Sequence, residues 1–252
     1  ARLATFLEAS AQLSHKIKSA MMYPIIALSL ALLITTGMML FIVPVFAGMF
    51  ADFGAKLPLA TQIMIALSNG IKKHGILILA IIALALWLFR RWKNTSSGSY
   101  RWANLTLHLP VLGMLNQKVA TSRFARTFAQ LLKSGVPILQ AMEIVSGATG
   151  NKMFEVLILN SRQTVERGEP LSSALVKHSC FPRLMISMLA AGEKTGKIDD
   201  MVDKCADFYD DEVDTLVAGL TSLIEPLLIV VLGVIVSSIV LAMYSPIFKL
   251  GE

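Results

Sequence analysis

Between Pro24 and Pro44 the chain runs from Ile25 to Val43 without a charged residue, and at 1.5 Å per residue a helix of that length spans about 30 Å, the hydrocarbon core of a bilayer. A second uncharged run, PLLIVVLGVIVSSIVLAMYSPIF, extends from Pro226 to Phe248. Each predicts a transmembrane helix, because only lipid or a very large core could cover so much contiguous apolar surface. Between them, Gly75 to Phe89 is only about 22 Å long as a helix. Lys72 and Lys73 at one end, and Arg90, Arg91, Trp92 and Lys93 at the other, extend it to a spanning length by snorkelling and interfacial anchoring. The predicted spans are residues 24–46, 74–92 and 224–248. A composition of 55% hydrophobic against 16% charged residues agrees, and excludes a disordered chain, a fibre or a water-soluble enzyme.

The net charge is +6, but the basic residues bracket the apolar runs, a placement that sets membrane orientation and does not call for nucleic acid. Arg2, Lys16 and Lys18 precede the first run, and Arg90, Arg91, Lys93 and Arg101 follow the second. By the positive-inside rule both sides are cytoplasmic, with Lys72 and Lys73 outnumbered. Residues 1–23 and 93–223 are then inside, and the loop 47–73 and the tail 249–252 lie across the membrane. The first run is too long for a signal peptide and lacks a clear small-residue cleavage site.

The polar stretch Asn94–Ser99 reads as a linker within 93–115, and a helical domain follows over 116–223. Punctuation divides it into six helices. Ser134-Gly135-Val136-Pro137 ends the first and starts the second, since glycine suits the position after a helix and proline the opening of the next. Gly150-Asn151, Gly168-Glu169-Pro170, Phe181-Pro182 and Thr195-Gly196 mark the remaining boundaries. No segment alternates as a strand does. Gly135, Pro137, Gly192, Gly196 and Pro226 are expected to act structurally, and Glu193 and Glu225 are grouped with the motifs that contain them.

The sixth helix separates its residues by type. Ile198, Met201, Val202, Cys205, Phe208, Tyr209, Val213, Leu216 and Leu220 recur at helical spacing, with Asp203, Asp207, Asp210, Asp211 and Asp214 opposite. With Asp199, Asp200 and Glu212 it is the most acidic stretch of a basic protein. It reads either as a solvated face whose first acids complement the helix dipole or as a docking surface for a basic partner, carried by Asp199, Asp200, Asp203, Asp207, Asp210 and Asp211.

A shift of 202 places brings the first and third apolar runs into register: Pro24 falls on Pro226, Pro44 on Pro246 and Phe46 on Phe248. Upstream, Arg2, Ala4, Phe6 and Glu8 fall on Lys204, Ala206, Phe208 and Asp210. A duplicated architecture is expected, with Ala1 inside the last helix of a first copy and roughly 85 residues of helical domain preceding it in the complete protein.

Catalytic signatures are absent. Ala191-Gly192-Glu193-Lys194-Thr195-Gly196-Lys197-Ile198 imitates a phosphate-binding loop, but Ala191 replaces its first glycine, Ile198 its Mg²⁺-binding hydroxyl, and no strand leads in. His15, His74, His108 and His178 are scattered and match no metal-binding spacing, and Cys180 and Cys205 form no CxxC pair. No serine stands in GxSxG. The first and third runs carry no ionisable group of the kind transporters and channels place in the bilayer, which leaves a permease a distant alternative. Neither a cofactor nor a metal is expected.

FARTFAQLLKSGVPILQAMEIV (Phe124–Val145), FPRLMISMLAAGEKTGKIDDMV (Phe181–Val202), ADFYDDEVD (Ala206–Asp214) and IEPLLIVVLGVIV (Ile224–Val236) resemble the inner-membrane platform proteins of type IV pilus and type II secretion machines, the PilC/GspF family. KSAMMYPIIALSL (Lys18–Leu30) and VPVFAGMFADFGAKLPLATQ (Val43–Gln62) carry the likeness into the first repeat, and FGAKLP leans toward the pilus branch. The resemblance implies an all-α polytopic protein in a bacterial inner membrane, with its amino terminus cytoplasmic and carboxyl terminus periplasmic. It further implies a non-catalytic platform engaging a hexameric assembly or retraction ATPase, pilins or pseudopilins and alignment proteins, and forming homo-oligomers. Pilus assembly is the leading function, with a secretion platform acting on pseudopilins as the alternative.

Overall fold

A computed structural model describes residues 22–45, 59–110 and 112–249, together with residues 19 and 48. Arg2, Lys16, Lys18, the upstream half of the 202-residue repeat and residues 49–58 of the expected loop lie outside the described residues. All regular structure among the described residues is helical. The helices are α1 (Met22–Val45), α2 (Leu59–Lys93), α3 (Ser96–His108), α4 (Leu112–Lys133), α5 (Ile138–Ala148), α6 (Lys152–Glu166), α7 (Leu171–Leu175), α8 (Arg183–Thr195) and α9 (Ile198–Lys249). They divide into two compact units, a helical bundle over residues 91–219 and a membrane unit over 19–90 and 220–252.

In the membrane unit, three helices are long and apolar enough to cross a bilayer, and their spans are almost wholly unburied by protein. Leu32, Ile76 and Leu227 illustrate the consequence: 69, 88 and 63% exposed, they require lipid as their solvent. α1 carries a π-turn at Met38–Ile42. Such a turn displaces carbonyls from the regular ladder, and the buried Ser68 hydroxyl of α2 donates to the Met39 carbonyl at 2.6 Å.

Two sequence expectations are corrected here. Residues 59–73, assigned to a loop, form the opening turns of α2, because after Pro58 the stretch LATQIMIALSNGIKK contains only one glycine and no proline, and its apolar residues favour helix through to Lys93. The Asn94–Ser99 linker shrinks to a two-residue corner, Asn94-Thr95, and Ser96–Ser99 are the first turn of α3. Gly98 permits this tight fold: a Cβ there would lie 1.9 Å from the Trp92 carbonyl oxygen. Pro226 lies inside α9, which runs unbroken for 52 residues through it. The proline withholds one N–H from a ladder of that length, and helices in lipid accommodate such a loss.

In the bundle, α4 to α9 are six helices separated at the glycine and proline positions. Gly135, Gly150, Gly168 and Gly196 all take positive φ at helix ends, where side-chain-bearing residues are strained. Pro137, Pro170 and Pro182 stand immediately before α5, α7 and α8, and their carbonyls accept from Ala141, Ala174 and Ile186. Asn151 caps α6 through its side-chain oxygen, which accepts from the Met153 N–H at 2.9 Å. Inside, Phe124 stacks on Phe128 at 5.3 Å and Phe181 meets Phe124 and Phe154 edge-on at 5.6 and 4.9 Å. Met142, Ile158, Leu175, Met185, Leu189 and Val202 close a single core around them.

Candidate functional site

The acidic helix lies along α4. In α9, Val202, Cys205, Ala206, Tyr209 and Val213 are buried, and Asp203 and Asp210 sit about a quarter-turn around the helix from that line. They therefore flank the packed face instead of opposing it. α4 presents Lys118, Ser122, Arg126 and Lys133 along one edge, and the two stripes run antiparallel. Lys118 pairs with Glu212, the Ser122 hydroxyl donates to Asp210, and Lys133 reaches Asp203 at 2.5 Å. At the centre, Arg126 donates to Asp203 at 3.0 Å and to Asp207 and Asp210 at 2.6 Å each.

Burial alone would pull the Arg126 guanidinium toward deprotonation, but hydrogen bonds and charge from Asp210 and Asp207 outweigh it and raise its pKa above the ordinary value. The hydrogen bond that Lys133 donates to Asp203 likewise raises its pKa, with Asp200 and Asp199 adding their charge. Asp203, Asp207 and Asp210 are thus occupied within the fold, whereas Asp200 and Asp211 are exposed and Asp199 half-buried in the first turn of α9. Phe208, grouped with the packing face in sequence, is 45% exposed and rests edge-on against Tyr209. The cationic edge of α4 went unread in the sequence, although Lys118, Arg126 and Lys133 recur at roughly helical spacing on a helix that carries no acid.

The imitation phosphate loop is a helix stop. Gly196 takes φ +72, and the Lys197 N–H donates back to the Gly192 carbonyl at 2.9 Å. Gly192 is the point of contact between α8 and the start of α9, where a Cβ would stand 2.7 Å from the Ile198 Cα. Glu193, whose role the sequence left open, caps α7 from across the bundle: its carboxylate accepts from both the backbone N–H and the hydroxyl of Ser172. Glu225 and Pro226 are exposed on α9. Cys180 and Cys205 are free and buried, and burial pushes their thiols up to about 11 and about 12, which makes them packing groups and poor nucleophiles. Chemically, this is an arrangement for holding helices together, with charged groups spent on tertiary contacts.

Comparison with known proteins places that architecture. The family described as "Type II secretion system (T2SS), protein F" matches residues 1–44 and 124–246. The chain belongs to this family. Its relatives include the type IV pilus assembly protein PilC of Thermus thermophilus, 44% identical over 99% of this chain and 62% of that protein. The type IV pilus assembly protein TapC of Aeromonas hydrophila is 40% identical over 100% of this chain and 61% of its own length. The type II secretion system protein F of the same species is 31% identical over 100% and 65%. The chain thus spans about three fifths of the length of the pilus relatives it matches.

Proposed function

We propose that this chain forms part of an inner-membrane platform for type IV pilus assembly, coupling a cytoplasmic ATPase to the extraction and polymerisation of pilin subunits. The observation that carries the reading is the gradient of similarity: 44 and 40% identity to pilus assembly proteins, against 31% to a secretion protein F, each over essentially the whole chain. The site supports a non-catalytic part, because Glu193, Asp203, Asp207 and Asp210 serve tertiary contacts. α9 belongs to the bundle at its start and to the apolar spans at its end, so one continuous helix is available to transmit a displacement from a cytoplasmic partner. The basic surface of such a partner would meet Asp200 and Asp211, exposed acids of the α9 stripe that take no part in the Arg126 cluster. Homo-oligomerisation, alignment proteins and a cytoplasmic amino terminus complete the proposal.

Deleting the gene is expected to abolish surface fibres, and complementation with the full-length protein to restore them. Normal fibres in a deletion strain without a second copy would refute the reading. A secretion platform handling pseudopilins is the second reading, favoured by the 31% relative. Crosslinking in native membranes followed by mass spectrometry separates the two, since pilins are recovered in one case and pseudopilins in the other.

A further inference from the structure

From Phe53 to Met142 the chain contains no aspartate or glutamate, and in the middle of this stretch the apolar run of α2 ends at Phe89. Only Arg90 to Thr95 separate it from α3. This short connection keeps the start of α3 within a few residues along the chain of the point at which the apolar run stops.

The α2–α3 corner has the composition of an interface. α3 packs on α4 and α6, and it buries Ala103 and also Gly98, which lies against the Trp92 carbonyl. Exposed on it are Tyr100, Arg101 and Leu105, the last two about 40° apart around the helix, and Leu109 follows at its end, with Tyr100, Leu105 and Leu109 40, 55 and 39% exposed. Beside it, the last turn of α2 supplies Trp92, 44% exposed, and Lys93, whose ammonium stands 5.6 Å over the Trp102 ring of α3. The Thr95 N–H donates to the Trp92 carbonyl at 3.1 Å, so the corner joining the two helices is tied down. Of the helices packed on α3, α4 carries no acid and α6 carries two, Glu155, which is paired with Lys152, and Glu166 in its last turn.

We infer that the α2–α3 corner is a seat for an anionic phospholipid surface, with Lys93 and Arg101 meeting lipid phosphates while Trp92, Tyr100, Leu105 and Leu109 enter the headgroup and upper acyl region. Cations and aromatic residues beside the end of a spanning helix, with an apolar fringe, are complementary to an anionic interface in charge and in polarity. The inference rests on the apolar spans alone and holds whichever client the platform handles.

The test places an environment-sensitive fluorophore on Leu105→Cys in the full-length protein, with the buried Cys180 and Cys205 unreactive at neutral pH. The protein is reconstituted in phosphatidylcholine vesicles with or without phosphatidylglycerol, each carrying a spin-labelled lipid. Quenching at residue 105 is expected to be several-fold stronger with phosphatidylglycerol, to fall with added salt, and to lose its lipid dependence in Lys93→Glu/Arg101→Glu. Lys93→Arg/Arg101→Lys retains it, which guards against loss of folding as the cause. Equal quenching in both vesicles overturns the proposal, and so does a lipid dependence that survives the charge reversal.

Discussion

Replacing Arg126 by methionine is the most informative perturbation of the bundle. The methionine keeps an unbranched stem for packing but leaves three carboxylates on one edge of α9 without their shared cation. Asp207 is 66% exposed, so its pair contributes at most about 1 kcal/mol. Asp203 and Asp210 are 29 and 33% exposed, Arg126 itself 22%, and charge-assisted bonds in such half-buried settings contribute about 1 to 1.5 kcal/mol each. Asp203 retains Lys133, and Asp210 retains Ser122, which limits the loss. The expected destabilisation is about 2 to 3 kcal/mol, which lowers the melting temperature of a bundle this size by roughly 10 °C. Cys180 and Cys205 provide the assay, since both are buried in the bundle and a thiol-reactive dye reports its opening on heating. In a double-mutant cycle, Arg126→Met with Asp210→Asn should show a coupling of about 1 kcal/mol. A shift below about 3 °C, or additive single mutants, would refute the claim that this ion cluster joins α4 to α9.

Other expectations follow from individual contacts. Gly192→Ala drives a Cβ into the Ile198 backbone and should cost about 2 kcal/mol or more, whereas Gly219→Ala, with nothing within 4 Å, should be neutral or stabilise α9 by up to about 1 kcal/mol; equal melting temperatures for the two would contradict the close approach. Glu193→Ala removes the cap of α7 and should cost about 1 to 2 kcal/mol, a loss that Ser172→Ala in the same chain should not deepen additively. Because folding favours the neutral thiols, stability contributed by Cys180 and Cys205 is present below their ordinary pKa of 9.0 and is lost as pH rises through about 11 and about 12. Native protein should accordingly resist alkylation at pH 8 and react promptly once unfolded; fast labelling of the native state would contradict their burial.

Much of the fold was legible in local sequence because its determinants are local. A bilayer imposes a length and forbids charge, so Ile25–Val43 and the run after Pro226 declare themselves. Glycines at positive φ and prolines before helices act within a turn, so Gly135-Val136-Pro137, Gly150-Asn151 and Thr195-Gly196 mark the ends of α4, the start of α6 and the end of α8. The same local rules misled where neighbours decide. Asn94–Ser99 has the composition of a linker, yet its serines are the opening of a helix that packs on α4 and α6.

The site was the least legible part. Arg126 and Asp203 are 77 residues apart, Lys118 and Glu212 94, and Ser172 and Glu193 21. Periodicity shows that acids share a stripe on α9, but only the packing of α4 beside it decides that Asp203, Asp207 and Asp210 are satisfied within the bundle and Asp200 and Asp211 left to solvent. The sequence by itself determined which segments enter lipid and where the bundle turns, since solvent, backbone geometry and helix periodicity act on neighbouring residues. Tertiary structure decided which charges are spent and which stay exposed, because that depends on side chains brought together from distant parts of the chain.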